Sequence, residues 1–476
     1  MKRLLLLSLV GCGTAASPPP PPAGESGAAP VPRLVPQPGL DLAGPIATPV
    51  RTAGVHHALP PVDLVTDRAV VSVDVPVPPS GGSVGFQLPD ERPGWVARIP
   101  DAVQLPAVAY GNGRVYVSGG FEATTFYAMN ATTGRFDWAT TNLEDNGPTA
   151  AVFDDGRVVF NTESCTLFAL DGKTGKRLWL RRLGDPTLSQ TAVADGLVFA
   201  SHPGAHGQEL SAYRVADGEP VWTQPIDAEL LAGPAVGGDA VYASTTGGMT
   251  YKILRRSGQL AWSRRLDATT VPWIADGELY VTRQAHNREQ QVVVDAASGK
   301  VVREQRLAAG KYAWDVPMDS RDWKTVWSFE GSRPVVDRGV RYVAMGGEIH
   351  ASDAATGEPL WQRTYAGKES RRSVGSVALA GSAIVIATRD GQLFGLDIDT
   401  GYTLWSYAIG HHIVAEPVVA KGWVYAATTD GFVVALNVAD ATLDGWHMFG
   451  GNPQHDGPVV SAPVAARAPA RVHGQR

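Results

Sequence analysis

Short runs that alternate apolar and polar residues recur along this chain, and they are rich in β-branched and aromatic side chains. Eight of them begin at residues 114, 157, 197, 240, 278, 340, 383 and 423, with sequences such as RVYV, AVYA and ELYV. This pattern is typical of β-strands. Seven are followed by a turn that opens with residues such as Asp171 and ends in glycine, at Gly134, Gly175, Gly218, Gly258, Gly299, Gly357 and Gly401. An Asp or Asn side chain starts such a turn by accepting backbone N–H bonds, and glycine adopts the positive φ that the turn needs.

These glycines recur with a period near 40 residues, at intervals of 41, 43, 40, 41, 58 and 44 residues. A repeat of that length, built from short strands, predicts one four-stranded antiparallel sheet per unit. Six of the turns are followed four residues later by a tryptophan, at Trp138, Trp179, Trp222, Trp262, Trp361 and Trp405. We expect each indole to dock on the neighbouring sheet and its N–H to find a partner there. The sequence therefore predicts an all-β protein, an eight-bladed β-propeller of four-stranded antiparallel blades.

Three positions depart from the repeat. Trp95 lies in a strand-like run that precedes the first complete unit, and we expect this strand to complete the last blade and to close the ring. Trp446 is the competing candidate for that role. The fifth unit carries Arg303 where the others carry tryptophan, and the eighth turn, residues 436–441, lacks its glycine.

The two ends of the chain predict export and anchoring. Residues 1–12 combine a basic start, a short apolar run and a bacterial lipobox, which predicts a signal peptide cleaved before a lipidated Cys12. Residues 13–60 are rich in proline and predict a disordered linker. Residues 61–92 contain a further weak strand pattern, residues 93–450 form the propeller, and residues 451–476 are a C-terminal tail. We expect a monomeric propeller held to a membrane by lipid alone.

Composition narrows the classes of function. The chain carries 41 basic and 47 acidic residues, and this net charge of −6 argues against general nucleic-acid binding. It has two cysteines, so a lipidated Cys12 leaves Cys165 without an intramolecular disulfide partner. The adjacent Arg371 and Arg372 are candidates for contact with an acidic partner, with solvated loop residues as the plain alternative.

The 58-residue interval contains the most irregular stretch of the chain. Its aromatic residues are Tyr312, Trp314, Trp323, Trp327 and Phe329. Insertions in repeat folds map to loops, and tryptophan and tyrosine are frequent in binding hot spots. Two interpretations stay open. The insertion either rebuilds the docking contact that the fifth unit lacks, through Trp314 or Trp327, or it binds a partner protein.

The repeat signature, seen best in ALDGKTGKRLW at residues 169–179, resembles the pyrroloquinoline-quinone-type propeller family over residues 93–450. Within it the chain is most similar to BamB-type lipoproteins of the outer-membrane β-barrel assembly machinery. That resemblance implies a non-catalytic scaffold whose loops bind an envelope protein, with no cofactor, no metal and no catalytic residues. It also implies a location at the outer membrane facing the periplasm, because Gly13 does not resemble the aspartate-type signal for inner-membrane retention.

Two other functions remain alternatives. The first is a quinoprotein dehydrogenase with pyrroloquinoline quinone and Ca²⁺ near the ring axis, although the chain lacks the adjacent cysteine pair usual in those enzymes and any C-x-x-C-H haem site. The second is a propeller that binds a glycan or another small envelope ligand in its central channel.

Overall fold

A computed structural model describes residues 69–102, 104–120, 122–184, 189–205, 207–285, 288–306, 333–345, 348–364, 377–413 and 415–459. Every regular element in these ranges is a β-strand, and the strands form eight separate sheets arranged as a propeller. The predicted all-β, eight-bladed architecture is therefore confirmed. None of the residues in these ranges forms a helix long and apolar enough to span a membrane.

Three strands precede the first complete blade: β1 (Val71–Ser72), β2 (Ser83–Gln87) and β3 (Pro93–Arg98). Blades 1 to 4 then follow in chain order. Their strands are β4 (Ala109–Gly111), β5 (Arg114–Ser118), β6 (Phe126–Asn130) and β7 (Phe136–Thr140); β8 (Val152–Asp154), β9 (Arg157–Asn161), β10 (Thr166–Asp171) and β11 (Arg177–Arg182); β12 (Ala192–Ala194), β13 (Leu197–Gly204), β14 (Gly207–Arg214) and β15 (Pro220–Ile226); and β16 (Ala235–Gly237), β17 (Ala240–Ser244), β18 (Met249–Leu254) and β19 (Leu260–Arg265).

Blades 5 to 8 continue the series. Their strands are β20 (Trp273–Ala275), β21 (Glu278–Ala285), β22 (Arg288–Asp295) and β23 (Val301–Arg306); β24 (Val335–Asp337), β25 (Val340–Met345), β26 (Glu348–Asp353) and β27 (Pro359–Thr364); β28 (Ala378–Ala380), β29 (Ala383–Ala387), β30 (Gln392–Asp397) and β31 (Thr403–Ala408); and β32 (Val418–Ala420), β33 (Trp423–Ala427) and β34 (Phe432–Asn437). The first strands of neighbouring blades, such as β4 and β8 or β32 and β4, contact each other, so they lie innermost around the axis.

The ring closes through the strand that carries Trp95. β3 pairs antiparallel with β34, with Trp95 opposite Ala435, and it provides the outer strand that the eighth blade otherwise lacks. This confirms the predicted closure. The competing residue, Trp446, instead forms a bridge with Val419 on the innermost strand of the same blade.

Two blades have five strands rather than the expected four. β1 adds in parallel to the outer edge of β31 in blade 7, and β2 adds antiparallel to β3 in blade 8. Both extra strands come from the region before residue 93, where the sequence carries only a weak strand pattern. They cover two outer edges whose backbone groups would otherwise face water.

Candidate functional site

In the described ranges, five of the eight blades are joined to the next by a tryptophan on the fourth strand of the blade. The indole N–H of this residue donates a hydrogen bond to a backbone carbonyl in the last turn of the following blade. The five indole bonds are Trp95 to Ala131 (2.9 Å), Trp138 to Gly172 (3.2 Å), Trp179 to Val215 (2.8 Å), Trp222 to Arg255 (2.7 Å) and Trp262 to Ala296 (3.1 Å). The acceptor occupies the same place in every turn, which is why the repeat can form a regular ring.

The turn glycines face these indoles. Six of them have φ between +68° and +73°, and a Cβ atom on any of the six would lie 2.4–2.7 Å from the indole of the preceding blade, at Gly134, Gly175, Gly218, Gly258, Gly299 and Gly401. Atoms cannot approach that closely without displacement. Glycine is therefore required twice at these positions, once for the turn conformation and once for the flat contact with the indole.

Arg303 makes the contact that the fifth blade was expected to lack. Its guanidinium donates to the carbonyl of Ala354, the equivalent acceptor in blade 6, over 3.0 Å. The same group forms an ion pair with Glu278, with an Nη1–Oε1 distance of 2.9 Å. The seam between blades 5 and 6, where Gly357 is the turn glycine, is thus joined by a charged donor in place of an indole.

Trp405 does not dock as the sequence predicts. Its indole lies over Gly395 of its own blade, where a Cβ atom would be 2.2 Å from Cε2, and within the described part of the chain its N–H has no hydrogen-bond partner. The residue opposite the tryptophan is alanine in blades 1, 2, 3 and 6, but glycine in blade 7. The next blade also lacks its turn glycine. The indole of Trp405 therefore has space over Gly395 of its own blade, and the next blade lacks the glycine that receives the indole at other seams.

The C-terminal segment, residues 444–459, lies along the innermost strands of several blades. Its backbone forms hydrogen bonds with the innermost strands of several blades, at Val419, Tyr110, Val193 and Val236. Trp446 stacks on Trp273 of blade 5, with ring centroids 6.2 Å apart and an angle of 5° between the planes. Ordered structure thus extends to residue 459, beyond the propeller boundary that the sequence places at residue 450.

Buried charged and titratable groups lie in this segment or form hydrogen bonds with it. Arg333 is fully buried, donates to the carbonyl of His455 over 2.7 Å, and lies 5.1 Å from the ring centre of Trp273. Burial, with Arg333 nearby, lowers the pKa of His455 to about 3. Glu416 accepts hydrogen bonds from the N–H of Gly450 and the indole of Trp446.

The enzyme alternative requires a quinone and Ca²⁺ near the ring axis, where the innermost strands and this segment lie. The carboxylate of Glu416 is engaged by the chain itself, and the aromatic rings here stack on one another. In the described ranges, no group of three His, Cys, Asp or Glu residues is placed to hold a metal ion. Within the described ranges, the residues along this segment do not fit that cofactor.

A cleft of about 600 Å³ lies beside the C-terminal segment, between the first turns of blades 8, 1 and 2. Its walls include the rings of Tyr110, Phe153 and His447 together with Pro453. The carboxyl of Asp154 also lines the cleft, and burial with the nearby Asp155 raises its pKa. No local sequence pattern predicts this cleft, because its walls come from four distant parts of the chain.

The predicted partner-binding residues lie outside the described ranges. These are Tyr312, Trp314, Trp323, Trp327, Phe329, Arg371 and Arg372, and the same holds for Cys12. The strands that flank them are described. Residues 307–332 join β23 of blade 5 to β24 of blade 6, and residues 365–376 join β27 of blade 6 to β28 of blade 7.

The family model described as outer membrane protein assembly factor BamB matches residues 81–305, 288–370 and 367–472. The chain is 25% identical over 290 residues to outer membrane protein assembly factor BamB of Yersinia pestis, covering 57% of this chain and 69% of that protein. The crystal structure of BamB from Moraxella catarrhalis matches with a TM-score of 0.53 at 18% identity, over 74% of this chain and 98% of that one.

A propeller enzyme has a related fold. Quinohemoprotein alcohol dehydrogenase ADHIIG from Pseudomonas putida HK5 matches with a TM-score of 0.51 at 13% identity, over 73% of this chain and 76% of that one. A likeness at such low identity concerns the fold alone. The family model, by contrast, spans most of the chain. This chain belongs to the family of the outer membrane protein assembly factor BamB.

Proposed function

We propose that this protein is a non-catalytic scaffold of the bacterial cell envelope that binds a protein partner during outer-membrane protein assembly. Membership of the BamB family supports the proposal, as does the similarity to outer membrane protein assembly factors such as the Yersinia pestis protein. Its rigid blades hold the connecting segments in fixed relative positions, and those segments bind the partner. Neither a cofactor nor a catalytic residue takes part.

The contact between Arg303 and blade 6 is the main structural support for the proposed binding surface. Because the guanidinium already joins blade 5 to the Ala354 carbonyl of blade 6, the aromatic insertion is not needed for that seam. The aromatic residues at 312–329 then remain the candidates for contact with a partner. The second candidate, Arg371 with Arg372, lies in residues 365–376, which join the outer strand of blade 6 to the inner strand of blade 7. Both candidate segments therefore adjoin blade 6 in the chain.

The test replaces residues 312–329 with a short Gly-Ser link and, separately, reverses the charge at Arg371 and Arg372 with glutamate. Leu178→Ser, at an exposed position on blade 2, is the matched control. We expect both changes to abolish copurification of the partner from envelope membranes, with a thermal midpoint within about 2 °C of the parent protein. A sharp fall in the midpoint would support the structural interpretation of the insertion, and unchanged copurification would refute the proposed surface.

We also propose that a lipid anchors the protein to a membrane. A lipidated Cys12 would hold the propeller at the outer membrane, facing the periplasm, through the proline-rich linker. Two or more acyl chains give stable membrane attachment, whereas one gives reversible binding. Mass spectrometry of the mature N-terminus tests this, and a Cys12→Ser protein should move from the membrane fraction to the soluble periplasm.

The cleft favours a second candidate function, the binding of a small envelope ligand such as a glycan. Aromatic walls with a few polar groups are typical of ligand sites, and Tyr110, Phe153 and Asp154 meet that description. Calorimetric titration with envelope glycan fragments tests it. Binding that Phe153→Ala weakens would support this function, and no heat of binding at millimolar ligand would remove it.

A further inference from the structure

We infer that residues 69–92, here named the N-terminal strap, latch the seam between blades 7 and 8 in place of the missing indole contact. This inference does not depend on the proposed function. It rests on the coincidence of two features: the seam that lacks the repeated contact is the one whose outer edges carry additional strands.

The seam lacks both halves of the repeated contact. Trp405 lies on Gly395 of its own blade, and its N–H has no partner within the described ranges. The turn that should receive it has Ala441 where the other turns have glycine. At the other seams an indole, or the guanidinium of Arg303, contacts the last turn of the next blade.

The strap crosses this seam from one blade to the other and back again. It begins on blade 7, where β1 pairs with β31 and the N–H of Val73 donates to the carbonyl of Ala408 over 2.9 Å. It then passes to blade 8, where β2 pairs with β3 along its whole length. It returns to blade 7 at its end, because Arg92 donates to the hydroxyl of Tyr407 and that hydroxyl donates to Asp90 over 3.2 Å.

Apolar burial follows the same path. Val73 and Leu88 of the strap are 5% and 2% exposed, and they belong to one buried cluster with Tyr407 of blade 7 and Val434 of blade 8. The guanidinium of Arg92 also lies 5.7 Å from the ring centre of Tyr407. Backbone pairing, apolar packing and a charged clamp thus all join blade 7 to blade 8 through the strap.

The strap is the first described part of the chain after the predicted linker. A pull transmitted along that linker therefore acts on the seam between blades 7 and 8 before it acts on any other seam.

Hydrogen exchange of the mature protein tests the latch. The variant Leu88→Ala with Tyr407→Phe weakens the clamp, and Val84→Ala, at a position 38% exposed on β2, is the matched control. The readout uses amides of β30 and β34, which pair with their own blades rather than with the strap, and compares them with β15 of blade 3. We expect exchange in β30 and β34 to rise at least 10-fold in the double variant, with β15 and the control unchanged.

A second measurement covers the whole strap. In a chain that lacks residues 69–92, exchange at β30 and β34 should rise, and a synthetic peptide of residues 69–92 should restore protection there. Equal acceleration in all blades, or unchanged exchange at β30 and β34 in the double variant, would overturn the inference.

Discussion

The close approach of indole to glycine can be tested by a single pair of substitutions in blade 3. Gly218 and Gly196 both have φ of +73°. A Cβ atom at Gly218 would lie 2.7 Å from Cε3 of Trp179, whereas one at Gly196 would have nothing within 4 Å. Gly218→Ala therefore combines backbone strain with a collision, and Gly196→Ala adds the strain alone.

The magnitudes follow from these two effects. A non-glycine residue in the left-handed region costs about 1–2 kcal/mol, and forcing an additional carbon into a packed contact costs about 1–3 kcal/mol. We expect Gly196→Ala to lower the free energy of unfolding by about 1–2 kcal/mol and Gly218→Ala to lower it by about 2–5 kcal/mol. The difference between them measures the docking contact.

Urea unfolding followed by tryptophan fluorescence gives both values under the same conditions. The hydrogen bond from Trp179 to Val215 should also weaken, because the indole must move away from the turn. Equal destabilisation by the two substitutions would refute the reasoning, because backbone strain alone would then account for both losses of stability.

Three further predictions concern charged groups. Arg303→Ala should lower the free energy of unfolding by about 1–3 kcal/mol in urea, because it removes both the ion pair with Glu278 and the hydrogen bond to the carbonyl of Ala354. Burial raises the pKa of Glu163 to about 8, so the folded protein holds a proton that the unfolded chain releases, and stability falls as the pH rises from about 4.5 to 8; Glu163→Gln should raise the unfolding midpoint more at pH 8 than at pH 5. The pKa of His455 is lowered to about 3, so stability falls as the pH drops from 6.5 towards 3; His455→Asn should flatten the stability profile over that range, and an unchanged slope would contradict the assignment.

The repeat was sufficient to predict the ring. Glycine spacing near 40 residues, together with the tryptophan four residues after the turn, predicted eight blades, and the isolated run at Trp95 predicted the closing strand. These features are local and periodic, so one unit informs the interpretation of the next. The same regularity explains why the indole contacts recur with the same acceptor in blade after blade.

The exceptions could not be predicted from the pattern. Whether Trp405 reaches the next blade depends on Gly395 across the strand pair and on Ala441 in another blade, which are distant in sequence. Arg303 replaces an indole only because Glu278 holds its guanidinium in position. The path of the C-terminal segment depends on contacts with several blades at once, and no local period records such contacts.

Site-specific photo-crosslinking in living cells tests the central claim most directly. A photoreactive amino acid replaces Trp323 in the aromatic insertion and, as the control, Leu178 at an exposed position on blade 2. The account predicts a covalent adduct with one protein of the outer-membrane assembly machinery from position 323 and none from position 178. No adduct from position 323, or the same adducts from both positions, would contradict it.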